Sequence, residues 1–117
     1  MKHIAILRCL RSNDVCTGAA CMQAFNKRTG AFAKYGEEEL ELEAYWSCNG
    51  CGDCYLKNQQ GIEEKLRRIM NMQLDAVHVG VCIMQRTAQG ERVRCKKIGE
   101  LCEHLREAGI KIVEGTH

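Results

Sequence analysis

Three cysteines, Cys48, Cys51 and Cys54, stand at two-residue intervals in the short run CNGCGDC. The C-x2-C spacing lets two thiolates converge on one metal ion or cluster, and a third can join them where the chain turns tightly. Gly50 and Gly52 permit such a turn, because glycine adopts positive φ angles without a steric penalty. The run therefore predicts metal or redox chemistry, without deciding between the two.

Six further cysteines bring the total to nine in 117 residues, which is unusually dense for a chain of this length. The N-terminus lacks the basic, apolar and small-residue regions of a secretion signal, so we expect a cytoplasmic protein. In a reducing compartment, dense cysteine indicates a metal, a cluster or catalysis more often than structural disulfides. Nine is also an odd number, so a complete disulfide framework would leave one thiol over.

Charge and length limit the classes of partner. Lysine and arginine number 17 against 15 aspartates and glutamates, and no basic stripe with interleaved aromatic residues is present, so we expect no nucleic-acid binding. No apolar run approaches the length that spans a membrane. The chain is expected to be a single domain, residues 1–117, with one metal ion as its partner and protein partners unknown.

Strand-like and helix-like segments alternate along the chain. Apolar runs predict strands over residues 3–9, 40–46, 75–82 and 110–113, and amphipathic patterns predict helices over 16–25, 62–72 and 95–105. Residues 28–39 are predicted as a loop with a partial turn of helix, and residues 85–92 as a polar loop. Such alternation predicts an α/β fold. We expect a small three-layer sandwich of flavodoxin-like or Rossmann-like type, with a four-stranded parallel sheet in the order 2-1-3-4.

The predicted topology brings distant cysteines to one edge of the sheet. Ligands of open parallel sheets bind beyond the carboxyl ends of the strands, where the strand order reverses. Cys9 ends the first strand, Cys48 and Cys51 follow the second, Cys82 ends the third and His117 follows the last. We therefore expect these five residues to lie along that edge, with Cys9, Cys48, Cys51 and Cys82 as the four main metal ligands.

The remaining cysteines divide into two groups. Cys16 and Cys95 stand at predicted helix starts, where the helix dipole lowers a thiol pKa, so each is a candidate ligand or reactive thiol. Cys21 and Cys102 lie on apolar helix faces and are interpreted as core residues, because free cysteine packs as a small hydrophobe. His78, in the middle of a strand, is interpreted as a buried group that supports the core.

Several functions fit a thiolate cluster. Tetrahedral sulfur coordination suits zinc and also a [4Fe–4S] cluster, and zinc with an open position would support hydrolysis. Cys48 and Cys51 could instead cycle between dithiol and disulfide. A thioredoxin mechanism is excluded, because the chain has no proline to supply the cis-proline of that fold. A phosphatase cradle of the C-x5-R type is excluded because Val15 stands where arginine is required. A metal sensor or carrier without catalysis remains an alternative.

Over nearly its whole length the chain resembles the CGGC domain family, which is described as metal-binding and cysteine-rich. The matching residues run from the first strand to the C-terminus: Cys9, Arg11, Asp14, Cys16, Thr17, Gly18, Cys21, Gly30, Ala31, Phe32, Tyr35, Gly36, the central cysteines, His78, Cys82, Cys95 and the closing Glu114, Gly115, Thr116 and His117. One position departs, since Asn49 replaces the first glycine of the central motif. The resemblance implies metal binding, with zinc favoured, and supplies no reaction.

Overall fold

The computed structural model describes residues 1–49, 59–80, 84–86, 89–90 and 92–117. Of the predicted ligands, Cys51, Cys54 and Cys82 therefore lie outside the described residues, as do Gly50 and Gly52. No helix in the described ranges has the length and apolar composition that a bilayer-spanning segment requires.

The main sheet contains four parallel strands: β1 (Lys2–Arg8), β2 (Leu40–Ser47), β3 (Ala76–Val79) and, last in the chain, β6 (Lys111–Glu114). Their spatial order is β2-β1-β3-β6, which confirms the predicted order 2-1-3-4. β1 lies inside the sheet and β2 at its edge. This agrees with their patterns, because β1 carries an apolar run buried on both faces while β2 alternates apolar and charged residues.

Helices cover both faces of the sheet and form the predicted three layers. On one face α1 (Ala19–Lys27) packs with the 3-10 helix Gly30–Tyr35 over Ile4, Ile6 and Ala76. On the other face α2 (Gln59–Met70) and α3 (Lys96–Glu107) pack over Leu7 and its neighbours. The side chains of β1 alternate between the two faces, as the period of two in a strand requires.

The start of α1 differs from the prediction. α1 begins at Ala19, three residues after the predicted start, because Gly18 adopts a left-handed φ of +80° at the N-cap. The Thr17 hydroxyl, just before this cap, accepts the Ala19 N–H at 3.2 Å. The partial helical turn expected within 28–39 is present as the 3-10 helix Gly30–Tyr35.

The segment predicted as a polar loop contains a separate two-stranded antiparallel sheet, formed by β4 (Met84–Arg86) and β5 (Arg92–Arg94). The prediction of a loop was wrong because it relied on polarity, whereas a two-stranded sheet outside the main core does not require apolar residues. Strand formation depends on pairing as well as on composition.

Candidate metal centre at the carboxyl edge of the sheet

Cys9 and Cys48 lie next to each other where β1 and β2 end. The Cys48 N–H points to the Arg8 carbonyl oxygen at 3.4 Å, so the paired backbones run side by side up to the two cysteines. Cys9 directly follows β1 and has an extended backbone (φ −79°, ψ 131°). Cys48 packs in the core with Leu7, and both cysteines are buried, with 9% and 4% of their surfaces exposed.

β3 ends at the same edge. The Gly80 N–H donates to the Leu7 carbonyl oxygen at 2.9 Å, which fixes the chain beside β1 as it leaves the sheet. Cys82 follows Gly80 by two residues, and its side chain lies outside the described residues.

The two helix-start cysteines have different environments. Cys95 directly precedes α3, is 5% exposed and packs in the same core as Cys48. Cys16 is exposed, and its sulfur accepts the Gly18 N–H at 3.3 Å just before α1. Cys95 is therefore the buried thiol that joins Cys48 in the α2–α3 layer, whereas Cys16 faces solvent.

The C-terminal residue His117 lies on the other face. The Thr116 carbonyl oxygen accepts the Ala31 N–H at 3.0 Å, which holds the end of the chain against the start of the 3-10 helix. Gly30 lies so close that a β-carbon there would stand 2.8 Å from the His117 α-carbon. Cys48 and Cys95 pack in the opposite layer, with α2 and α3.

Within the described ranges, no three of the predicted ligands have their donor atoms within 4.8 Å of one another. The one group there that meets this limit consists of His3, Glu41 and Glu43, at the surface of β1 and β2. The His3 Nδ1 lies 2.6 Å from a Glu43 oxygen, and this hydrogen bond raises the pKa of His3 and lowers that of Glu43. Strand alternation predicts that all three side chains lie at the surface. Their proximity to one another depends on the register between β1 and β2.

The residues interpreted as core are buried as predicted. Cys102 is fully enclosed in the α2–α3 layer, and Cys21 is buried with its sulfur 3.1 Å from the Thr116 hydroxyl. His78 is also fully buried, with Nε2 2.7 Å from the Tyr35 hydroxyl and Nδ1 3.1 Å from the Gly115 carbonyl oxygen.

The contacts of His78 define its protonation. The Gly115 carbonyl can only accept, so Nδ1 carries the proton and Nε2 accepts from the Tyr35 hydroxyl. Phe32 stacks on the ring at a centroid distance of 4.3 Å. Burial lowers the pKa of His78 to about 4, so the imidazole is neutral at physiological pH.

A cavity beside the cysteine edge was not predicted. It has a volume of about 370 Å³, and its described lining consists of Arg8, Tyr45, Trp46, Ser47 and Lys65. Burial lowers the pKa of Lys65, while the nearby Cys48 side chain acts in the opposite direction. The sequence did contain one indication of this cavity: Arg8 is a charged residue at the end of a buried apolar strand.

The donor set of this edge fits a thiophilic metal. Cys9 and Cys48, which follow two neighbouring strands, and Cys95, which precedes α3, are all buried and carry soft sulfur donors. Zinc and iron–sulfur clusters are the groups that such ligands hold. None of the six cysteines in the described ranges forms a disulfide.

Comparison with known proteins agrees with this chemistry. The sequence profile of the CGGC domain matches residues 3–117. An uncharacterised protein of Methanocaldococcus jannaschii is 30% identical over 129 aligned positions, covering 97% of this chain and 85% of that protein. No solved structure matches. The matching domain and the nine cysteines together suggest metal binding. The extent of the match shows that the chain belongs to the CGGC domain family.

Proposed function

We propose that the protein binds a metal ion through cysteine thiolates at the carboxyl edge of its sheet, with zinc as the favoured metal. The ligands in this proposal are Cys9, Cys48, Cys51 and Cys82. The observation that supports it is that Cys9 and Cys48 are both buried and directly follow neighbouring parallel strands whose backbones still lie side by side there. Two buried thiols at the binding edge of an α/β sheet are half of a tetrahedral sulfur site.

Chain connectivity supports the other two ligands. Cys51 follows Cys48 by three residues, which is the C-x2-C spacing of many thiolate sites. Cys82 follows Gly80 by two residues, and Gly80 is hydrogen-bonded to Leu7 in β1. The chain after Cys48 and the chain after Gly80 therefore both begin close to Cys9. Cys51 and Cys82 follow within a few residues of these points.

The chemistry of the site depends on how many protein ligands the metal has. Four thiolates would make a closed zinc site that stabilises the fold, whereas three protein ligands and an open position would hold an activated water. Cys54, Cys16, Cys95 and His117 are the further candidate ligands, and Cys95 has the best support because it shares a buried layer with Cys48. A [4Fe–4S] cluster, serving electron transfer or sensing, is the alternative cofactor. A CxxC thiol–disulfide oxidoreductase, with Cys48 and Cys51 cycling as a dithiol, is the alternative function without a metal.

Replacement of Cys9, Cys48, Cys51 and Cys82 by serine tests the ligand set. We expect the fourfold variant to lose bound metal, while Cys102→Ser, a control thiol buried in the same layer, keeps the wild-type metal content. Metal per chain is measured by elemental analysis on freshly purified protein. Unchanged metal content in the fourfold variant would show that the ligands lie elsewhere.

Cobalt substitution tests the same ligands in the unmutated chain, in case the fourfold variant does not fold. Sulfur-to-cobalt charge-transfer bands report thiolate coordination directly, because cobalt(II) occupies zinc sites with similar geometry. Four thiolates should give strong bands that decline stepwise when single ligands are changed to serine. A cobalt complex without these bands would contradict thiolate ligation.

A further inference from the structure

We propose that the cavity beside the cysteine edge binds the carboxylate or phosphate group of a small organic anion. For brevity we call this cavity the Arg8–Lys65 cavity, after the two cations in its lining, with Tyr45, Trp46 and Ser47 as the other described lining residues. Its volume of about 370 Å³ lies in the range of small-molecule sites. It adjoins the ends of β1 and β2, where open parallel sheets bind their ligands.

The charge of the cavity favours an anion. Two cationic side chains, Arg8 and Lys65, contribute to the wall, and the described lining contains no aspartate or glutamate. Arg8 is 7% exposed, so its charge is held in a fixed position at the cavity wall rather than on a mobile surface chain. A charge in partly desolvated surroundings attracts a counter-ion more strongly than one in bulk water.

Two side chains of the described lining, Tyr45 and Lys65, have hydrogen-bond donors that a ligand could use. The Arg8 Nη1 donates to the Tyr45 hydroxyl at 2.7 Å, which leaves the hydroxyl proton of Tyr45 available to a ligand. The Lys65 ammonium donates to the Ser47 carbonyl oxygen at 2.9 Å and keeps two further protons.

The aromatic rings indicate that the ligand has an apolar part. Tyr45 is held by the Arg8 guanidinium, which lies 5.1 Å from its ring centre, and by close contact of its hydroxyl with Gly18, where a β-carbon would clash. A ring fixed in this way provides a packing surface at little entropic cost. Inorganic phosphate would leave most of the cavity unfilled, whereas a phosphate or carboxylate on a ring-sized group would occupy it.

Tryptophan fluorescence provides a direct assay, because Trp46 is the sole tryptophan of the chain and lines the cavity. Purified protein with its native metal content is titrated with phenyl phosphate, benzoate and inorganic phosphate up to about 10 mM. We expect a saturable change with at least one organic anion, at an affinity about tenfold above that for inorganic phosphate. No saturable change with any of the three, or equal affinity for inorganic phosphate, would overturn the proposal.

Two variants assign the binding to the cavity. Lys65→Gln should weaken binding about tenfold and Tyr45→Phe severalfold, since each removes a hydrogen bond to a charged group. Arg68→Gln is the matched control, because it removes one positive charge from α2 at a residue that pairs with Glu64 outside the cavity. Equal weakening in Lys65→Gln and Arg68→Gln would indicate a general charge effect and contradict the assignment. Metal content is measured on the same samples, so failure here is distinguishable from failure of the metal-site proposal.

Discussion

The stability of the protein should fall between about pH 6.5 and pH 4, because His78 is buried in its neutral form. Burial lowers the pKa of this histidine from 6.5 to about 4, so across that window the unfolded chain binds more protons than the folded one. Stability therefore rises with pH through the window and is fully restored above it. From these two pKa values, the loss between about pH 7.5 and pH 5 amounts to ~2 kcal/mol.

Urea unfolding of the wild type and of His78→Asn at the two pH values measures this loss. The variant removes the titrating imidazole, and we expect its stability to change by ~2 kcal/mol less than that of the wild type between those pH values. Contributions from His3, the carboxylates and metal ligands are common to both proteins and cancel in the difference. His104→Asn controls for removing a histidine as such, since His104 is exposed on α3. An identical pH dependence in the wild type and His78→Asn would refute the reasoning.

Three further predictions concern packing on the two faces of the sheet. Gly30→Ala should destabilise the protein by about 1–3 kcal/mol more than Gly36→Ala, because only at Gly30 would the β-carbon stand 2.5 Å from the Thr116 carbonyl oxygen. Gly36 also has a positive φ but has open space around it, so alanine there incurs the backbone cost alone. Equal losses in the two thermal unfolding curves would contradict the close contact. Tyr35→Phe should lose about 1 kcal/mol by leaving the His78 Nε2 without its donor, and unchanged urea unfolding would rule out that hydrogen bond. Cys102→Ser should lower stability by about 1–3 kcal/mol, because it buries a hydroxyl in place of a thiol, and loss of bound metal in this variant would contradict its interpretation as a core residue.

The strand order was predictable because each strand has a distinct burial pattern. β1 is apolar on both faces and belongs inside the sheet, while the alternating glutamates of β2 indicate an edge. The same reasoning predicted that Cys9 and Cys48 lie at one edge, since a parallel sheet brings the carboxyl ends of its strands together.

Other features depend on contacts that no local pattern encodes. His3 meets Glu43 only because of the register between β1 and β2, and a shift of one residue would separate them. The cavity requires Lys65 on α2 to reach the end of β2, which follows from how the helix packs on the sheet. His117 follows the last strand as predicted, but the hydrogen bond between Ala31 and Thr116 holds the chain end on the α1 face. The β4–β5 pair was missed because pairing, rather than apolar composition, defines it.

Metal content is the most direct test of the proposed site. Protein purified anaerobically is analysed for metals and labile sulfide, and its visible spectrum is recorded. The account predicts about one zinc per chain and no visible colour. Iron with labile sulfide and a broad band near about 400 nm would replace zinc by an iron–sulfur cluster on the same thiolates. Protein without metal, in which Cys48 and Cys51 form a reversible disulfide, would contradict the metal site altogether.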